Sequence, residues 1–167
     1  KDGEQATELA RVGDVAVIDA EPLELPNQRV ASRALDNRVG CYVAYEAARL
    51  VAEAGGAAGE FAAVAAVQEE ITFAGSRTTA FELKPDLALV VDVTFATDAP
   101  GIKVNELGKH ELGSGPVISR GSTLNPRIFE LLYEAAEAEK IPFTVQASAR
   151  HTGTDADAVH VSRGGIP

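Results

Sequence analysis

The sequence contains no methionine, no tryptophan and a single cysteine, and aromatic residues make up 5% of it. One cysteine, Cys41, cannot form a disulfide within the chain, so the sequence predicts a reducing, cytoplasmic setting. No apolar run reaches the about 18 residues of a membrane helix, which excludes such a span. Lys and Arg number 15 against 25 Asp and Glu, a net charge of −10. This balance argues against a nucleic-acid partner, because phosphates require clustered positive charge.

The two ends of the chain do not resemble natural termini. The 167 residues suffice for the core of one domain. Yet the chain opens at Lys1 without an initiating methionine and stops at Gly164–Pro167, where another element should start. We therefore expect the chain to be an internal fragment of a larger protein.

Apolar runs and helical periodicities alternate along the chain. Strand patterns are expected at 15–19, 29–33, 60–68, 86–93, 117–120 and 143–147, and helices over 37–54, 125–140 and 154–163. This alternation predicts an α/β layered sandwich with a mainly parallel central sheet. Residues 1–30, with short strands and prolines, are typical of a small β module, so the α/β core is expected over residues 31–167.

Acidic side chains lie at the carboxyl ends of these expected strands, where open α/β sheets bind ligands. Glu69 and Glu70 close one apolar run, Asp92 lies within the next, and Asp36 precedes a helix. Asp36 is also explained as a helix cap, and the two glutamates as a solvated strand end. Asp92 among valines and leucines requires a positive partner, for which a metal ion is a candidate. Together the acids suggest a two-metal centre with one glutamate as ligand and the other as general base.

The remaining polar groups carry weaker signals. The segment His151–Asp157 is interpreted equally well as a loop lining a site or as a loop capped by Thr154. His160 is expected on a helix face and His110 in solvent, rather than as metal ligands. Cys41, among apolar neighbours on a helix, is expected to be a buried core thiol.

A series of short motifs runs in order through the chain: Ala34–Gly40, Val67–Ile71, Val90–Thr94, Ala96–Gly101, Gly115–Ile118, Arg120–Ser122, Asn125–Arg127 and His151–Pro167. Over roughly residues 10–167 this order resembles the tetrahedral (TET) family of metallo-aminopeptidases. That family includes glutamyl and deblocking aminopeptidases, and its members often carry the name endoglucanase or cellulase.

The resemblance implies hydrolysis of N-terminal residues from peptides with two divalent ions, zinc or cobalt. By this likeness Asp36 bridges both ions, Glu70 binds one and Asp92 the other. Glu69 is then the general base that passes a proton from a metal-activated water to the leaving amine. The resemblance also implies a catalytic α/β core at residues 31–167, with residues 1–30 the tail of an inserted β-barrel domain. Twelve-subunit homo-oligomers are implied as well.

Departures from the family pattern limit what this chain does alone. The family's two histidine ligands lie in stretches that this chain does not include, so we expect it to be inactive alone, with ions absent or partial. Phe95 and the segment Thr72–Gly75 also differ from the common pattern, which leaves the side-chain preference open. Two alternatives remain: a non-catalytic oligomerisation or regulatory fragment, and a glycosidase, which needs carboxylates about 5–9.5 Å apart across the sugar.

Overall fold

A computed structural model describes residues 3–167, and the chain divides into two units, residues 1–36 and 37–167. Lys1 and Asp2, part of the expected module 1–30, lie outside the described residues. The elements in chain order are α1 (Gly3–Leu9), β1 (Leu23–Leu25), β2 (Arg29–Ala31), α2 (Leu35–Glu53), α3 (Glu69–Thr72), α4 (Ala74–Leu83), α5 (Val104–Leu107), β3 (Val117–Gly121), α6 (Pro126–Ala138), β4 (Thr144–Ser148) and α7 (Ala156–Val159). No helix of the described part is long and apolar enough to cross a bilayer.

The first unit contains one hairpin. Strands β1 and β2 pair antiparallel, with Leu23 opposite Ala31. The turn between them places Asn27 and Gln28 at positive φ, a conformation that short polar residues tolerate better than branched ones. The strand expected at 15–19 is wrong. This stretch is irregular, and its backbone pairs with no strand within residues 3–167.

The core of the second unit forms around the segment β3–α6–β4. The two strands pair in parallel with Val117 opposite Thr144, which confirms parallel pairing for this part of the expected sheet. Asn125 caps α6 through its side-chain oxygen, and Pro126 occupies the first helical position, as the sequence predicts. One face of α6 packs on β3 through a small apolar cluster: Ile118, Phe129, Ala136 and the half-buried Phe143.

Helices α2 and α7 differ in how well the sequence predicts them. The expected helix 37–54 is confirmed as α2, although Cys41 on it is only half-buried, so the prediction of a buried thiol is wrong in degree. The expected helix 154–163 is wrong in length, because α7 spans four residues. The chain then continues in turns, and Arg163 adopts a left-handed conformation (φ 56°) that helical geometry does not permit.

Two apolar runs expected as central strands are irregular. Residues 60–68 and 86–93 adopt no strand in the structure, and Phe61, Val67 and Leu89 are exposed. An apolar run indicates burial on both faces, but a strand also requires hydrogen-bonded neighbours on its edges. Within residues 3–167, such ladders form only between β1 and β2 and between β3 and β4. The observed architecture is therefore mixed α/β with one small parallel sheet, rather than a complete central sheet.

Candidate metal centre

Glu69 and Glu70 lie on a tight turn between two left-handed residues. Gln68 (φ 62°) precedes α3 and Phe73 (φ 54°) follows it. The carbonyl oxygen of Gln68 accepts hydrogen bonds from the backbone N–H groups of both Thr72 and Phe73 at 3.0 Å. These bonds close the turn, with Glu69 half-buried and Glu70 exposed at its start.

A glycine contact fixes the same turn to the helix that follows it. The backbone N–H of Gly75, in the first turn of α4, donates to the carbonyl oxygen of Val67 at 3.0 Å. A Cβ at Gly75 would lie 2.5 Å from that oxygen, closer than real contacts allow. Only glycine therefore permits this approach, which holds the chain two residues before Glu69 against α4.

Asp92 is half-buried on an extended segment that reaches strand β4. Its Oδ1 atom accepts a hydrogen bond of 2.8 Å from the backbone N–H of Val93. Two residues further on, the Thr94 hydroxyl donates to the Gln146 side-chain oxygen at 3.3 Å. The segment is thus attached to the middle of β4, next to Asp92.

Further along, the same segment reaches the start of β4. The Thr97 N–H donates to the His110 carbonyl oxygen at 2.7 Å, and the His110 ring contacts the Thr144 hydroxyl at 2.7 Å. Thr94 is thus bonded to Gln146 in the middle of β4, and Thr97 is connected through His110 to Thr144 at the start of β4.

The first turn of α2 contacts the segment that carries Asp92. The Asn37 side-chain amide donates to the Val91 carbonyl oxygen at 2.8 Å, while its Oδ1 accepts the Gly40 N–H at 2.8 Å. Asn37 directly follows Asp36, which is exposed, and Val91 directly precedes Asp92. Asn37 was not among the residues the sequence singled out, since an amide in a first turn is usually explained as a local cap.

The acidic residues do not form a complete ion site by themselves. Within residues 3–167, no three Asp, Glu, His or Cys side chains form a group able to hold a metal ion. The convergence of Asp36, Glu70 and Asp92 therefore stays a prediction. What the structure fixes is the backbone beside two of these acids, through Gly75 near Glu70 and through Asn37 near Asp92.

His110 is buried, so the prediction of a solvated side chain is wrong. It is 4% exposed, and its Nε2 lies 2.9 Å from the Leu107 carbonyl oxygen. A carbonyl only accepts, so Nε2 carries the proton and Nδ1 accepts from the Thr144 hydroxyl. His110 therefore ties the loop after α5 to β4 and is fully occupied as a structural residue.

The loop after β4 is organised by one carboxylate. Asp157 accepts hydrogen bonds from the N–H groups of Thr152 and Gly153, both at 2.8 Å, and from the Thr152 hydroxyl at 3.0 Å. Burial alone raises the pKa of Asp157, but these hydrogen bonds, with a smaller contribution from His151, leave its pKa lowered. The Thr154 hydroxyl accepts the Ala156 N–H at 3.2 Å, but the residue at the cap position of α7 is Asp155.

The chain matches one family over its whole length. The model of the M42 glutamyl aminopeptidases covers residues 1–167. Lysyl aminopeptidase from Pyrococcus furiosus is 36% identical over 98% of this chain and 46% of its own length. The chain thus spans about half the length of the curated relatives it matches.

Solved structures support the same assignment. An aminopeptidase from the archaeon Desulfurococcus kamchatkensis superposes with a TM-score of 0.80 at 34% identity, over 98% of this chain and 46% of that one. PhTET1-12s, whose structure is a dodecamer, gives a TM-score of 0.66 at 25% identity, over 93% of this chain and 46% of that one. The curated relative and the Desulfurococcus kamchatkensis structure that the chain resembles are aminopeptidases, a class of exopeptidase. The chain belongs to the M42 glutamyl aminopeptidase family.

Proposed function

We propose that this chain supplies the acidic part of the active site of a dimetal aminopeptidase that removes N-terminal residues from peptides. The observation that carries the proposal is the Glu69–Glu70 turn, held by the Gln68 carbonyl on one side and by the Gly75 contact on the other. Two adjacent carboxylates on a fixed turn serve two roles, because one binds a cation while its neighbour handles a proton. The family match over the whole chain supports the same reaction.

The proposed roles divide among four acids. Glu70 and Asp92 would each hold one divalent ion, and Asp36 would serve as a ligand shared by both. Glu69 accepts a proton from the attacking water and delivers it to the nitrogen of the leaving amine. Its half-buried position at the start of the turn favours this role, since partial exclusion of water keeps the proton near the reacting atoms.

The donor chemistry of these residues fits divalent cations. The carboxylates of Asp36 and Glu70 are exposed, and no hydrogen bond or ion pair of the described residues engages them. Oxygen ligands suit divalent ions, while zinc and cobalt additionally favour imidazole, which further residues of the enzyme would supply. When bound, two ions polarise the scissile carbonyl and stabilise negative charge on its oxygen.

The proposal also covers the domains, the oligomeric state and the cellular compartment of the complete enzyme. We propose that residues 31–167 belong to the layered catalytic core with its mainly parallel sheet, and that residues 1–30 end an inserted β-barrel domain. Assembly of the complete enzyme into homo-oligomers, dodecamers as in PhTET1-12s, is proposed from the likeness to that structure. A reducing cytoplasm is proposed because Cys41 is a free thiol.

Activity assays of the full-length protein test the reaction. We expect hydrolysis of aminoacyl-anilides that a chelator abolishes and that zinc or cobalt restores, with no release of sugar from cellulose. Cellulose hydrolysis would instead favour the glycosidase. Absence of both activities in metal-loaded, folded protein would favour a non-catalytic oligomerisation or regulatory role.

The isolated 167-residue chain is proposed to be inactive. It spans about half of its relatives' length, and residues 3–167 contain no three-residue group able to hold an ion. Elemental analysis after removal of chelator, with an anilide assay beside it, tests this point. Two equivalents of zinc per chain together with peptidase activity would contradict it.

A further inference from the structure

A cavity lies on the second unit and is lined by none of the acids discussed above. It measures about 490 Å³ between α4 and the turns that follow α7. Its lining combines two arginines and one glutamate with apolar and hydroxyl side chains: Arg77, Thr78, Phe81, Glu82, Val161, Ser162 and Arg163.

Arg163 is held against Phe81 in the lining of this cavity. Its guanidinium carbon lies 3.9 Å from the centre of the Phe81 ring, and its Nε donates to the Phe81 carbonyl oxygen at 2.6 Å. Stacking and this hydrogen bond together fix the guanidinium plane. The terminal nitrogens then remain for a ligand, because a bond through Nε occupies only one edge of the fork.

Arg77 brings a second positive charge to the same place. It precedes Phe81 by one helical turn on α4, so both side chains occupy one face of that helix. Neither arginine forms an ion pair with an acidic residue of the described chain, Glu82 included. The cavity therefore has two unneutralised guanidinium groups against one carboxylate, in a chain of net charge −10.

A hydroxyl also faces this cavity. Ser162 lines it, and the residue as a whole is 7% exposed. Its side-chain oxygen is not among the enclosed polar atoms without a partner in residues 3–167, so it stays accessible from the cavity. The Thr78 hydroxyl, by contrast, donates to the Ala74 carbonyl oxygen at 2.9 Å.

We propose that this cavity binds a small organic carboxylate that carries an apolar group. The two guanidinium groups and the Ser162 hydroxyl would bind the carboxylate oxygens, because arginine forks match that planar anion. The apolar group would pack on Phe81 and Val161, whose side chains are 56% and 63% exposed. This contact distinguishes an organic carboxylate from inorganic phosphate, which would gain nothing from it.

Calorimetric titration of the full-length protein with phenylacetate tests the site without relying on activity. We expect saturable binding with a Kd of about 1 mM, as for a ligand of this size. The neutral isostere phenylacetamide should bind about tenfold more weakly, since it removes the charge and keeps the shape. Inorganic phosphate that displaced phenylacetate with equal affinity would overturn the assignment to an organic carboxylate.

Three variants localise the binding. Arg163→Gln and Arg77→Gln should each weaken phenylacetate binding about tenfold, with folding checked by circular dichroism. If the Arg163 variant unfolds because it loses its contacts with Phe81, the Arg77 variant alone decides the test. Arg127→Gln removes the same charge from an exposed site on α6 and should leave affinity within about twofold. Equal weakening by the Arg127 variant, or no saturable binding to wild type, overturns the proposal.

Discussion

The side-chain amide of Asn37 donates a hydrogen bond to the Val91 carbonyl oxygen, across 54 positions of sequence. The neighbours of these two residues, Asp36 and Asp92, are two of the three acids proposed as ligands of the ions. The Asn37 amide therefore holds the backbone beside Asp92 in place. Asn37 itself lies in the first turn of α2, directly after Asp36. Because the Gly40 N–H occupies the Asn37 oxygen, the orientation of the amide is fixed as well.

Replacing Asn37 by alanine should lower the free energy of unfolding by about 1–2 kcal/mol. The change leaves the Val91 carbonyl and the Gly40 N–H without their partner. Urea unfolding measures the effect. Asn105→Ala on α5 is the matched control and should change stability by less than about 0.5 kcal/mol. Equal effects of the two substitutions would contradict a positioning role for Asn37.

Substitution of Glu69 by glutamine tests whether Glu69 is the general base and Glu70 a metal ligand. In the full-length enzyme, Glu69→Gln should reduce kcat about 10²–10⁴-fold while metal content stays unchanged, because a proton carrier is lost and no ligand is. Glu70→Gln should instead lower the metal content. Kinetics and elemental analysis of both variants separate the roles. Wild-type turnover in the Glu69 variant would assign the base elsewhere.

Adding one methyl group at Gly75 should disturb the glutamate turn. A Cβ there would lie 2.5 Å from the Val67 carbonyl oxygen, so the turn must shift. Gly75→Ala should cost about 1–3 kcal/mol of stability and reduce kcat in the full-length enzyme. Gly59→Ala, whose Cβ would meet nothing within 4 Å, is the control for an added methyl group. Unchanged kcat in the Gly75 variant would separate the turn from catalysis.

His110→Ala should destabilise the second unit by about 2–4 kcal/mol. The substitution opens a cavity and removes both ring contacts, leaving the Leu107 carbonyl and the Thr144 hydroxyl unpaired. His151→Ala serves as the comparison, because the His151 side chain is 76% exposed. Denaturant midpoints of the two variants measure the difference. A His110 variant as stable as the His151 variant would show that the buried ring does not hold the loop to β4.

Asp157 should make the loop 151–157 sensitive to acid. Its pKa is lower in the folded than in the unfolded chain, so its contribution is present above the unfolded pKa of about 3.9 and is lost as the pH falls through the lowered folded value. Unfolding free energy measured between neutral and acidic pH should therefore fall less steeply in Asp157→Asn. Asp86→Asn, on an exposed residue, should keep the wild-type slope.

Local signals in the sequence predicted helices α2 and α6 better than the central strands. Asn125 and Pro126 define the start of α6 through contacts within one turn, so the sequence contains all that is needed. The runs 60–68 and 86–93 have the apolar composition of central strands, but their conformation depends on neighbouring strands that composition cannot specify. Helix α7 is shorter than expected because the chain continues in turns after it, with Arg163 in a left-handed conformation.

The sequence predicted which acidic residues form the candidate site, but not the residues that hold the backbone around them. The acids were identified by residue type, position at strand ends and likeness to a family. Asn37 and Gly75 were missed. Asn37 acts on the Val91 carbonyl, which is distant in sequence, and Gly75 acts by packing closely on the Val67 carbonyl beside the glutamate turn. His110 was misjudged for the same reason: a polar residue in a loop is usually exposed, and only the fold reveals that it is enclosed.

The segment β3–α6–β4 combines a five-residue ladder, a capped helix and a shared apolar cluster, so we expect its amides to exchange slowly with solvent. The stretches before Glu69 and around Asp92 contribute to no ladder of the described residues, so fewer backbone hydrogen bonds oppose their opening. A cation bound by Glu70 and Asp92 would therefore slow amide exchange in these two stretches more than in β3–α6–β4.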